Sequence, residues 1–142
     1  FATVYATTFS GVSTTAKYAD LAENYQADTN YSYGTVVMFG GDYEVTIATA
    51  DTKAVAGVVS QNPAHLMNGG LIGPNVVPLA LQGRVPCNVI GPIKKGDLLV
   101  SGIVPGVAEA RPNARAGSII GKALENYNSS DVGIIEIMVG KH

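Results

Sequence analysis

The chain has 142 residues, a length typical of one domain with a single core, and only 14% of them are charged. Its net charge of -2 leaves no basic surface to neutralise phosphates, which argues against nucleic acid as a partner. No apolar run approaches the roughly 20 residues that span a bilayer, so membrane insertion is not expected. A mean hydropathy of +0.21 with so few charges indicates that contacts between subunits cover part of the surface.

The first residues, FATVYATTFSG, differ from the rest of the chain. Phe1, Tyr5 and Phe9 alternate with small residues, so an extended strand here has one bulky face and one small face. This asymmetry suits three strands that wind about a common axis, and an ordinary amphipathic edge strand is the alternative. We therefore divide the chain into an extended, stalk-like N-terminal segment at 1–15 and a C-terminal β domain at 16–142. Because the chain begins with Phe rather than Met, we expect it to be part of a longer protein.

The next segment, AKYADLAENYQAD, holds the densest group of acidic residues in the chain. Ala, Leu and Glu favour a helix and a preceding Ser or Thr could cap it, so the sequence predicts one short helix here. In a helix Asp20 and Glu23 would share a face, and one carboxylate could raise the pKa of the other for general acid catalysis. The alternative is a structural role, in which both carboxylates form the solvated face opposite three apolar residues, Tyr18, Leu21 and Tyr25.

Downstream, the pattern is β almost throughout. TVVMFGGDYEVTIAT predicts two strands joined by a turn at Gly40, Gly41 and Asp42, and KAVAGVVS predicts a third strand. PAHLMNGGLIGPN is predicted to be a long loop. In VVPLALQGRVPCNVIG, Pro78 and Pro86 predict edge or bulged strands, because proline cannot donate a ladder hydrogen bond. A tight turn at KKGD and two strands around NYNSSD complete a mainly β fold, a compact barrel or sandwich of seven or eight short strands.

Motifs for the common catalytic chemistries do not occur in this sequence. GGLIGPN lacks the Gly-Lys-Ser/Thr of a phosphate-binding loop. His65 and His142 have no second His or Cys at metal-ligand spacing and no neighbouring nucleophile motif. Cys87 alternates with valines, which is typical of a small core residue on the buried face of a strand. We predict no cofactor and no metal.

Four motifs occur in order: YADLAENYQADTNYSYGTVVMFGG, VAGVVSQNPAHLMN, VPLALQGRVPCNVIGPIKKGDLLVSG and GSIIGKALE. From Tyr18 to the C-terminus, they resemble the C-terminal domain of tail-fibre and appendage structural proteins of tailed phages, especially phages of cyanobacteria. More distantly, the chain is similar to the autocleaving C-terminal domains of phage pre-neck appendage proteins. In those relatives a carboxylate near a Tyr-Ala-Glu type motif assists self-cleavage, and the matching positions here are Asp20 and Glu23.

The resemblance implies a structural protein on the surface of a phage virion, a homotrimeric domain that caps or follows a fibrous stalk. Its partners would be further copies of itself, other virion proteins and a host surface receptor. Two alternatives stay open. One is a self-processing chaperone domain that trimerises its parent and cleaves itself with Asp20 and Glu23, and the other is a capsid decoration protein.

Overall fold

The computed structural model describes residues 19–140, which form ten β-strands and no helix. The strands are β1 Ala19–Gln26, β2 Val36–Phe39, β3 Val45–Ile47, β4 Val55–Val59, β5 His65–Met67, β6 Val76–Val89, β7 Leu98–Ser101, β8 Ala108–Ala110, β9 Ile119–Ala123 and β10 Gly133–Val139. The prediction of a mainly β domain is confirmed. The stalk-like segment predicted at 1–15 lies outside the described residues.

Five of the strands close into a barrel in the order β6, β8, β7, β9 and β10, with β10 pairing back onto β6. All contacts around this ring are antiparallel except the one between β8 and β6, which is parallel at Ala108 and Val89. Apolar side chains from every strand fill the interior, among them Val85, Cys87, Leu99, Ile120, Ile135 and Ile137. The closed ring leaves these five strands without a free edge and confirms the compact barrel.

The other half of β6 carries a sheet extension. β4 pairs with β6, β2 pairs with β4, and β3 forms the outer edge. β1 lies along the opposite edge of β6, and β5 pairs with β1 in parallel. A second apolar cluster holds this half together, and its buried members are Ala27, Val37, Val45, Val59, Val77 and Leu79.

β6 is a continuous 14-residue strand at the centre of the molecule, so of the two alternatives predicted around its prolines the edge strand is wrong. The bulged strand agrees with the register shift in its pairing with β1, between Leu21 and Ala22. The prolines do not need an edge because β6 changes partners along its length. Pro78 lies one residue beyond Leu79, where the pairing with β4 stops. Pro86 lies between Arg84, the last β6 residue paired with β1, and Val89, which pairs with β8. A proline at such a change of partner removes little from a hydrogen-bond ladder.

The short helix predicted around YADLAENY is wrong for residues 19–26, which form β1. This strand is antiparallel to β6 over its whole length and parallel to β5 at Leu21, Ala22 and Glu23. Burial follows the two-residue period of a strand, since Asp20, Ala22 and Asn24 are buried while their neighbours are more exposed. Pairing along both edges of the strand outweighs the modest helix preference of Ala, Leu and Glu.

The predicted turns are confirmed, with one addition. The β2–β3 hairpin turns at Gly40 and Gly41, and the KKGD turn places Gly96 at a φ of +93°. The long loop predicted at PAHLMNGGLIGPN contains the short strand β5, which pairs with β1 and was not expected. A three-residue strand without alternating polarity carries no periodic signal of its own.

The two ends of the described chain lie on opposite edges of the same strand, β6. Ala19, the first residue of β1, is opposite Arg84, and Val139, the last residue of β10, is opposite Gly83. β1 and β10 occupy the two edges of β6 at this level. Ala19 and Val139 are therefore separated by the width of one strand.

Candidate functional site

β1 separates the two predicted site carboxylates. Side chains alternate across a strand, so residues three apart point to opposite faces, and the shared face expected from a helix is wrong. Asp20 is only 3% exposed, whereas Glu23 is half-buried. The structure does not bring the two carboxylates together, and each has its own surroundings.

Asp20 is held inside the domain by the segment that follows β4. The Ser60 hydroxyl donates a hydrogen bond of 2.7 Å to Asp20 Oδ2, and the Ala64 N–H donates one of 3.0 Å to the Asp20 carbonyl. The second carboxyl oxygen, Oδ1, is enclosed without a hydrogen-bond partner among the described residues. Burial raises the pKa of Asp20 above its ordinary value of 3.8, and the hydrogen bond from Ser60 offsets part of that rise. The site thus places a buried carboxyl beside a hydroxyl.

Gly83 lets β1 approach β6 closely at Asp20. Its φ is +112°, and a Cβ there would collide with the Ala19 carbonyl oxygen and lie 2.8 Å from the Asp20 Cα. The register between the two strands also shifts by one residue between Leu21 and Ala22. The glycine and the bulge together set the depth at which Asp20 is buried.

Glu23 belongs to a different surface. Its carboxylate accepts a hydrogen bond of 3.1 Å from the Tyr25 hydroxyl, two residues along the same face of β1. Burial, and then this bond to Glu23, raises the pKa of Tyr25 above 10.0. The Tyr25 ring packs edge-to-face on Phe39, with ring centres 5.7 Å apart. Glu23 therefore orients an aromatic pair at the surface and does not contact Asp20.

An apolar groove of about 610 Å³ opens beside this aromatic pair, between β4 and the end of β10. Its lining residues are Tyr25, Phe39, Val55, Ala56, Gly57, Leu81, Gly117, Ile119, Ile120, Val139 and Gly140. The Tyr25 hydroxyl is the one polar side-chain group among them. The groove can thus hold apolar matter, but its lining supplies no acid-base pair. The sequence does not predict this groove, because its lining residues come from strands that are distant in sequence and meet only in the fold.

The remaining candidates are structural. Cys87 is buried in the barrel, as predicted, and burial raises the pKa of its thiol to about 12. His65 is exposed on β5, and His142 lies outside the described residues. Within residues 19–140, no three His, Cys, Asp or Glu side chains are grouped so that they could hold a metal ion. No helix in that range is long and apolar enough to cross a membrane.

The likeness of this chain to known proteins is structural and distant. No protein-family model matches the chain, and no curated protein matches it. Among solved structures, the chain is similar to the N base of the head fibre gp8.5 of bacteriophage phi29. The two share 18% sequence identity over 83% of this chain and 92% of that chain, with a TM-score of 0.44. At this distance the likeness assigns neither a family nor a function.

Proposed function

We propose that this chain is a structural domain of a phage virion that assembles as a homotrimer in a surface fibre or appendage. One observation supports this most. The first two motifs of the resemblance pack against each other, because the buried Asp20 of the first motif bonds the buried Ser60 of the second and β1 pairs with β5. Asp20, one of the two residues that the resemblance singles out as site residues, thus serves the packing of β1 against the segment after β4.

The exposed surface supports association with other copies of the chain. Large apolar side chains are exposed at several places, with Ile72 at 82% and Ile103 at 80%, and Phe39 and Tyr43 project from the β2–β3 hairpin. Soluble globular domains carry about 25% charged residues over their whole length. With 14% charged residues, the chain resembles subunits that bury apolar patches against partners.

Two measurements test the proposal. Light scattering on the purified full chain should give the mass of three copies, and antibody labelling of phage particles should place the chain on fibres or appendages. A stable monomer, or absence from particles, would contradict the proposal. Labels spread regularly over the capsid would instead favour the decoration protein.

Self-processing is the second candidate, and it is favoured by the buried Asp20 Oδ1, which has no hydrogen-bond partner among the described residues. In a precursor that extends beyond this chain, Asp20 and Glu23 would supply carboxylates for cleavage of the polypeptide. Mass spectrometry of that precursor should then show discrete fragments. Asp20→Asn and Glu23→Gln, made separately, would show which carboxylate is needed. A precursor that stays intact with both carboxylates present rules this candidate out.

A further inference from the structure

A pair of asparagine side chains ties the loop after β5 to β1. The Asn24 side-chain amide donates a hydrogen bond of 3.1 Å to the Leu71 carbonyl, and the Asn68 amide donates one of 3.1 Å to the Asn24 carbonyl. The Leu71 N–H closes the turn by donating to the Asn68 carbonyl, also at 3.1 Å. We call these three hydrogen bonds the amide latch. Both of its side chains must remain amides, because each acts as a donor to a carbonyl.

Asn68 differs from the other asparagines in the identity of its C-terminal neighbour. The chain has nine asparagines, and only Asn68 precedes a glycine. Asparagine is a thermolabile residue, because the backbone nitrogen of the next residue can attack its side-chain amide. A side chain on that next residue hinders the approach, and glycine has none. Asn68 is also exposed and lies at a φ of +56°, in a turn, where water reaches it.

We propose that Asn68 is a spontaneous deamidation site, and that its conversion opens the amide latch. The Gly69 nitrogen bonds to the Asn68 Cγ, and the bond from Cγ to Nδ2 breaks. The proton lost by the Gly69 nitrogen is transferred to Nδ2, which leaves as ammonia. Water then opens the five-membered succinimide ring to give either aspartate or isoaspartate at position 68. No enzyme or cofactor is required, since water is the only other reactant.

The product cannot rebuild the latch. Position 68 loses the NH₂ group that donated to the Asn24 carbonyl, and a carboxylate takes its place facing that acceptor. In the isoaspartate product the backbone also gains one methylene, which displaces the carbonyl that accepts from Leu71. Asn24 is buried, so its carbonyl does not readily exchange the lost donor for water. The aspartate product thus loses one of the three hydrogen bonds of the latch and the isoaspartate product loses two, which leaves the Asn24 bond to the Leu71 carbonyl.

The test is peptide mass spectrometry of the purified full chain, stored in mildly alkaline buffer and sampled over time. We expect the mass gain of NH₂ replaced by OH, together with isoaspartate, to appear first at position 68. Asn128, which is exposed and precedes the small residue Ser129, is the internal comparison. Modification of Asn128 before Asn68 would overturn the proposal.

Gly69→Ala is the matched control variant. A Cβ at Gly69 would meet only the Leu66 Cδ2 at 4.0 Å, and the φ of Gly69 is outside the left-handed region, so the fold should accept alanine. We expect at least a several-fold slower conversion of Asn68 in this variant. Hydrogen exchange at the Leu71 amide should speed up in Asn68→Asp and in aged protein, but not in Gly69→Ala. Equal rates of Asn68 deamidation in the natural chain and in Gly69→Ala would refute the proposal. Unchanged hydrogen exchange at the Leu71 amide in Asn68→Asp would refute it as well.

Discussion

The carboxyl of Asp20 exchanges water for one hydrogen bond from Ser60 and leaves its second oxygen without a partner among the described residues. Burying an ionised carboxylate in this way costs free energy, which is why burial raises its pKa. The folded chain therefore binds this proton more tightly than the unfolded chain does. The stability that Asp20 contributes is fully present below its ordinary pKa of 3.8 and is lost as the pH rises through the raised value.

Asp20→Asn should remove that dependence on pH. The amide keeps a hydrogen-bonding group beside Ser60 and does not ionise. As the pH rises above 3.8, the free energy of unfolding of the variant should therefore increase relative to that of the natural chain. Urea unfolding at a series of pH values measures the difference. Glu23→Gln, on the opposite face of β1, controls for the loss of a carboxylate. A difference between Asp20→Asn and the natural chain that does not change with pH would contradict this account.

The position of β1 depends on Gly83 in the neighbouring strand β6. Gly83 and Gly96 both have positive φ, at +112° and +93°, so alanine is strained at either position. A Cβ at Gly83 would also strike the backbone of β1, whereas a Cβ at Gly96 would meet nothing within 4 Å. Position 83 thus requires glycine both for its positive φ and for the close approach of β1, whereas position 96 requires it only for its positive φ.

Gly83→Ala should therefore destabilise the chain more than Gly96→Ala. We expect Gly96→Ala to cost about 1 kcal/mol through backbone strain alone. Gly83→Ala should cost that amount and more, because β1 must move away and Asp20 with it. Thermal unfolding of the two variants gives the comparison directly. Equal melting temperatures would show that the close contact at Gly83 relaxes freely.

The elements that the sequence predicts correctly are those that local patterns determine. Runs rich in Val and Ile become β2, β4 and β9, and the turns at Gly40 and Gly96 follow from glycine's access to positive φ. β1 could not be predicted, because Ala, Leu and Glu favour a helix while its strand partners are distant in sequence. The contact between Asp20 and Ser60, 40 positions apart, depends on that same pairing and leaves no local signal.

At the scale of the whole molecule, β6 belongs to both apolar clusters. Val77 and Leu79 lie in the cluster of the sheet extension, while Val85, Cys87 and Val89 lie in the barrel. If β6 separates from one cluster, the buried side chains of the other cluster that contact β6 also become exposed. We therefore expect the two halves to unfold in one cooperative transition, as small domains usually do.

The buried Cys87 thiol makes this coupling measurable. Leu79→Ala removes a fully buried side chain outside the barrel and should cost about 2–5 kcal/mol. If the halves unfold together, this variant should also speed the labelling of Cys87 by a thiol reagent, since the thiol reacts only after the barrel opens. Unfolding followed by circular dichroism should coincide with labelling. Faster unfolding of the extension with unchanged labelling of Cys87 would show that the halves are independent.

Because Ala19 and Val139 lie on the two edges of β6, the ends of the described chain are close enough to be joined and the chain can be opened elsewhere. Neighbouring strands are about 4.8 Å apart, so the two residues are separated by roughly 10 Å. A circular permutant that joins His142 to Phe1 and opens between the exposed Gly41 and Asp42 should keep every strand pairing, at the cost of the β2–β3 turn. We expect it to fold with the circular dichroism spectrum of the natural chain and a lower melting temperature. An unfolded permutant would mean that the β2–β3 hairpin must form as one continuous piece.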